Sequence, residues 1–233
     1  MRRVILLAAT GFAVFSLACP ASSEPPVIRV TGEATLSVEP DRATVDIGVT
    51  TEDPKAGRAA QRNAEKAAAT IEALREAFGK ALQIQTVNYS LTPRYRYPKD
   101  GGPREQEGFT ASNIVRVETQ KLDRVGRIID IATSKGANRI ERLHFDLADE
   151  EPTRAQALRR AAATARAKAE AIAAALDLKI GRVISVEEGG VSVVSPQRSI
   201  KMMSARSAAV PTPVEAGTVE VNAQLTLSVE ANP

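Results

Sequence analysis

The chain has 233 residues, with 31 lysines and arginines against 28 aspartates and glutamates, one histidine, one cysteine and no tryptophan. Arg2 and Arg3 lie in a leader-like segment, so the remainder is close to neutral and lacks the electrostatic footprint of a nucleic-acid-binding protein. One cysteine excludes a disulfide framework, and one histidine excludes a site built from several imidazoles.

Met1-Arg2-Arg3 is a short basic start, followed by an apolar run from Val4 to Ala18 that ends in small residues. This run is shorter than the roughly 20 residues that span a bilayer, and its order reads as a secretory signal over residues 1–23. Cleavage fits after Ala18 or after Ser23; the second leaves a folded region over residues 24–233. Cys19 sits beside the cut, but Ser16 occupies the place where a lipidation signal wants an aliphatic residue, so Cys19 is expected to leave with the signal.

Val27 to Val38 alternates around a central glycine and predicts a strand, and Pro40-Asp41 predicts a turn. From Arg42 to Thr51, Ala43, Val45, Ile47 and Val49 share one face, with Thr44, Asp46 and Gly48 on the other: a half-buried strand. The period changes over Lys55 to Phe78, where Ala60, Ala64, Ala67, Ile71, Leu74 and Phe78 form a helical stripe that Gly79 stops. Leu82 to Tyr97 and Gly108 to Thr119 predict a hairpin around "PKDGGPREQE". Leu122 to Lys135 predicts a shorter helix, Ile140 to Leu147 a strand, Pro152 to Leu176 a long alanine-rich helix and Val183 to Glu187 a strand. Residues 189–217 read as a flexible Ser/Pro-rich loop, and Thr218 to Val229 as a last strand. The fold class expected is α+β, an antiparallel sheet with the two long helices on one face.

A shift of 98 residues lays Asp53-Pro54 on Glu151-Pro152 and the first helical stripe on Leu158, Ala162, Ala165, Ala169, Ile172 and Leu176. Strand, acid, proline and helix recur in register, which predicts a degenerate internal duplication. It also predicts a helix-start role for Asp149, Glu150 and Glu151, where carboxylates favour the dipole and accept free N–H groups.

His144 and Asp146 are predicted on the outer face of their strand, opposite Phe145 and Leu147. No phosphate-binding glycine loop, nucleophile elbow or metal-ligand spacing accompanies them. Catalytic, cofactor and metal positions are therefore expected to be none. "RYRYPK", Arg94 to Lys99, interleaves basic and aromatic residues; a regular strand past Pro93 would put Tyr89, Leu91, Tyr95 and Tyr97 on one side with solvated arginines opposite. Met202 and Met203 lie in the long loop, where oxidation to the sulfoxide is conceivable and packing is the plainer reading.

The segments "IRVTGEATLSVEPDRATVDIGV", "IQTVNYSLTPRY", "GFTASNIVRV", "GANRIERLHFDLADEEPTRAQALRRAAATARAKAEAIAAAL" and "GRVISVEE", in this order, resemble the SIMPL-domain family over nearly the whole chain after the leader. The resemblance implies an α+β fold, a periplasmic or envelope location and a stress-related role, with large ring- or channel-like oligomers in some members. It supplies no catalytic position to carry over. Two readings of different class follow: a self-assembling, non-enzymatic periplasmic protein, and a monomeric binding module for a protein or small ligand. A hydrolase centred on His144 is the third, opposed by the absence of a nucleophile motif.

Overall fold

The computed structural model describes residues 26–99, 101–195 and 212–233. The leader-like segment, Cys19 and both candidate cleavage points lie outside them, as do Met202 and Met203. Among the described residues, seven strands and three α-helices follow in the order β1 (Val27–Val38), β2 (Arg42–Asp53), α1 (Ala56–Phe78), β3 (Gln83–Arg96), β4 (Glu105–Thr119), α2 (Val125–Ser134), β5 (Arg139–Asp146), α3 (Glu151–Ala175), β6 (Lys179–Val194) and β7 (Val219–Asn232). Every ladder is antiparallel, and the class is α+β. No helix of the described residues is long and apolar enough to cross a membrane.

The strands form two sheets rather than one, a three-stranded sheet in the order β1-β7-β6 and a four-stranded sheet in the order β3-β4-β2-β5. Each carries its own long helix: α1 lies on β2 and β4, and α3 on β1 and β7. The strand–helix pairs that the 98-residue offset aligns are therefore placed differently. β2 and α1 pack on each other, whereas β5 lies beside β2 and α3 packs on the other sheet, over β1. The two sheets nevertheless share a plan, in which one strand and a hairpin are crossed by a helix, with the later hairpin strand in the middle.

The buried stripe of α1 is Ala59, Asn63, Ala67, Thr70, Leu74 and Phe78, so Ala59 and the polar Asn63 and Thr70 stand where a purely apolar reading chooses Ala60, Ala64 and Ile71. Thr70 is satisfied within the helix, its hydroxyl donating to Lys66 O at 2.9 Å. Asn63 is fully buried and its Nδ2 donates to Val49 O at 2.7 Å and Ala111 O at 3.0 Å, tying the helix to β2 and β4. On α3 the buried face is alanine alone: Ala157, Ala161, Ala165, Ala169 and Ala173. The predicted stripe is rotated, and Ile172 and Leu176 are exposed. The reason is distance. A Cβ on Gly32 of β1 would overlap the carbonyl oxygen of Ala161 and lie 2.7 Å from Ala165 Cβ, so helix and strand backbones are too close for larger side chains.

β6 continues to Val194, so the segment expected to be a loop from Gly189 begins as strand. Its pairing shifts register between Glu188 and Gly190, a bulge that breaks the alternation and hides the strand from a period-two reading. From residue 212 the chain returns across α2. The carboxylate of Asp130 accepts the Thr212 hydroxyl at 2.7 Å and the Thr212 N–H at 3.3 Å, and Val214 and Ala216 pack on the core of the four-stranded sheet.

Candidate functional site

The stretch around His144 is held in place from both ends. Gly136, with φ 121°, closes α2, and Asn138 then pairs with Thr50 through both sides of its amide, at 2.9 and 2.8 Å. This delivers β5 to the edge of β2, with His144 opposite Thr44 and Asp146 opposite Arg42. Phe145 and Leu147 are buried, and His144 and Asp146 lie on the outer face, as the alternation predicts.

His144 Nε2 stands 3.8 Å from Asp146 Oδ2, beyond hydrogen-bond reach. The carboxylate of Asp146 is instead gripped by Arg42, whose Nε and Nη2 donate at 2.7 and 3.0 Å. A second fork lies deeper on the same face. Arg116 of β4 donates from Nε and Nη2 to Asp46 at 2.7 and 2.9 Å, with Arg142 Nε at 3.8 Å from the same carboxylate. Arg139 pairs with Glu141 at 2.8 Å nearby. Both forked arginines are held above the ordinary arginine value. The first cause is the side-chain hydrogen bond, to Asp146 for Arg42 and to Asp46 for Arg116; burial opposes it, and the charge of the same carboxylate adds to it. A raised arginine keeps its full contribution below its unfolded value and loses it only as pH rises through the folded one, so these guanidiniums remain charged at every pH the protein meets. The face opposite α1 is thus a lattice of bidentate ion pairs, in which carboxylates near His144 serve arginines. Asp46 escapes a reading of the sequence because an acid at an outward position of a half-buried strand looks solvated; only the register of β2 with β4 brings Arg116 to it.

The acids after His144 begin α3, as the sequence suggests, but with divided roles. Asp149 Oδ1 accepts the Glu151 N–H at 3.1 Å, and the same step recurs before α1, where Asp53 Oδ1 accepts the Lys55 N–H at 2.9 Å. The structural counterpart of Asp53 is therefore Asp149 rather than Glu151. Glu150 turns to Arg154, which donates at 2.7 and 3.0 Å. Between this turn and the end of β6 lies a cleft of about 510 Å³ lined by His144, Asp146, Glu150, Val193, Val194 and Ser195.

The hairpin of β3 and β4 departs from the regular strand expected past Pro93. A register shift between Arg94 and Tyr95 turns the strand, and Tyr97 lies beyond its end. The single-sided row of Tyr89, Leu91, Tyr95 and Tyr97 is therefore broken. Tyr95 carries Arg104 over its ring at 4.5 Å. The arginines are not simply solvated: Arg94 pairs with Glu52 at 3.0 Å and Arg96 with Glu105 at 2.7 Å. A phosphate would have to displace a carboxylate at each. Among the polar residues that the hairpin exposes stand three large apolar ones, Val87 40%, Tyr89 51% and Leu91 39% exposed, and β6 likewise exposes Val183, Ile184 and Val186.

Comparison with known proteins places these features in a sequence family. The family model described as "SIMPL: Protein of unknown function (DUF541)" matches residues 28–229. The 26 kDa periplasmic immunogenic protein of Brucella melitensis is 28% identical over 190 residues, covering 79% of this chain and 75% of that protein. The protein named "Uncharacterized protein YggE" in Escherichia coli K12 is 29% identical over 210 residues, covering 89% of this chain and 84% of the relative. Its namesake in Edwardsiella ictaluri is 27% identical over 186 residues, covering 80% and 77%.

Proposed function

The chain belongs to the SIMPL family, and on that premise we propose that it is an exported periplasmic protein without catalytic activity of its own, which self-assembles and supports oxidant tolerance or envelope organisation indirectly. The observation that carries the proposal is the pair of long strands β3 and β6 at sheet edges, each with large apolar side chains exposed. Such edges are templates for pairing with another chain, and proteins that stay monomeric usually shorten, cover or charge them. The periplasmic assignment draws on the leader-like segment and on the relative named a periplasmic immunogenic protein. The non-catalytic assignment draws on the engagement of Asp146 and Glu150 with Arg42 and Arg154, which leaves neither carboxylate to orient His144 as a general base.

Direct peroxide chemistry needs an activated thiol, a metal or a cofactor. Purified, metal-free protein is therefore expected to leave hydrogen peroxide at the rate of the buffer blank, and His144→Ala to behave as the unchanged protein does. Multiple-turnover consumption that disappears in His144→Ala would overturn the non-catalytic assignment. A monomeric binding module is the second reading, favoured by the cleft between His144 and the end of β6.

A further inference from the structure

At one end of the four-stranded sheet β2 and β3 begin and β4 and β5 finish. A cleft of about 410 Å³ opens there, within the range of about 300–1,000 Å³ usual for small-molecule sites. Its polar lining includes Arg42, Lys80, Gln83, Glu118, Gln120 and Lys121. One buried hydroxyl places both lysines. Thr119, 4% exposed, donates from Oγ1 to Ala81 O at 3.3 Å and accepts the Lys121 N–H at 3.1 Å. The segment before β3, which carries Lys80, is thereby tied to the segment after β4, which carries Lys121.

Arg42 is fixed from the far side. Its fork to Asp146 occupies Nε and one N–H of Nη2, which leaves the Nη1 edge oriented and, among the described residues, without a partner. The ammonium groups of Lys80 and Lys121 likewise make no ion pair or hydrogen bond among the described residues. This separates them from other cations of the chain: Arg94, Arg96 and Arg116 face carboxylates, and Lys168 Nζ donates to Thr31 O at 2.8 Å. Among the described residues that line the cleft there is one carboxylate, Glu118. It lies opposite Gln83 and Thr44 in the ladders, on the face that also carries Arg116.

We propose that this cleft binds the phosphate of a phosphate monoester, with Arg42 as the oriented donor and Lys80 and Lys121 as flexible charges that close on it. A guanidinium held on one edge offers the other to two oxygens of a tetrahedral anion, and ammonium groups on long stems reach the remaining oxygen. A carboxylate has two oxygens in one plane, which Arg42 alone would satisfy, leaving both lysines idle. Charge agrees with an anion. Arg42, Lys80 and Lys121 outnumber Asp146 and Glu118 by one, and a phosphate monoester carries close to two negative charges at neutral pH. Binding here does not depend on self-assembly.

The test is calorimetric titration of the purified protein with glycerol 3-phosphate at physiological salt, beside flotation with phosphatidylcholine vesicles that carry phosphatidic acid. One saturable site is expected for glycerol 3-phosphate. The double variant Lys80→Gln, Lys121→Gln is expected to weaken it about tenfold through lost charge-assisted hydrogen bonds, with thermal unfolding unchanged because both side chains are exposed. The control removes the same charge elsewhere: Lys55→Gln, before α1, with Lys179→Gln, at the start of β6, is expected to bind as the unchanged protein does. Flotation that needs Lys80 and Lys121 and is reversed by glycerol 3-phosphate would assign the phosphate to a lipid headgroup; soluble binding without flotation would assign it to a free ester. Equal loss in the control pair would reduce the effect to net charge and overturn the site. Acetate bound as tightly as glycerol 3-phosphate would overturn the phosphate class, and no saturable binding of either phosphate probe would overturn the proposal.

Discussion

Gly32→Ala is expected to destabilise the protein by about 3 kcal/mol, at the upper end of the range for overpacking a close contact. Measured by thermal unfolding, this is roughly 6–12 °C in Tm for a domain of this size. The cause is backbone, not side chain. Gly32 is paired with Leu225 in the middle of β1, and α3 crosses it so closely that a methyl group would strike the Ala161 carbonyl oxygen and the Ala165 backbone N–H, the latter at 2.7 Å. Neither atom can rotate aside, so strand or helix must shift and unseat the alanine face of α3. Gly57→Ala is the control. Nothing lies within 4 Å of a Cβ there, in the first turn of α1, and the substitution is expected to be neutral or to stabilise by up to about 1 kcal/mol through helix propensity. Equal effects of the two substitutions would contradict the close crossing of α3 on β1.

Asn63→Leu is expected to cost about 3 kcal/mol even though it replaces a fully buried polar residue with an apolar one of similar size. Asn63 Nδ2 donates to two strand carbonyls, Val49 O and Ala111 O, and leucine leaves both without this donor inside the core. A buried group that loses its partner costs about 1–3 kcal/mol. Asn63→Asp is expected to be worse at neutral pH, because a carboxylate would face two carbonyl oxygens. Urea denaturation reads both; an Asn63→Leu midpoint at or above that of the unchanged protein would show that the amide is dispensable.

Gly32 and Asn63 also mark where the sequence stops being legible. Periodicity locates β1 and β2, both long helices and the β3–β4 hairpin, because burial on one face imposes a period on each. It does not locate Asn63 or Thr70 in the buried stripe, because a polar residue is read as exposed unless its partner is known, and the partners here are backbone carbonyls. It also misplaces the face of α3: in a helix with so many alanines the larger residues, Leu158, Ile172 and Leu176, attract the reading, whereas the closeness of Gly32 admits only alanine. The division into two sheets is invisible locally, since it depends on β1 joining β7 at the far end of the chain. At the site, the outward placement of His144 follows from alternation, but the grip of Arg42 on Asp146 and of Arg116 on Asp46 follows from register, which no single strand encodes. β6 reads short in the sequence because its apolar residues lie on an exposed edge and a bulge interrupts their alternation.

The proposed self-assembly of this SIMPL protein is decided by its native mass. Light scattering during size-exclusion chromatography, across a hundredfold range of concentration, is expected to show a discrete species of more than one chain. A mass of one chain throughout that range would contradict self-assembly and favour the binding module with its cleft beside His144.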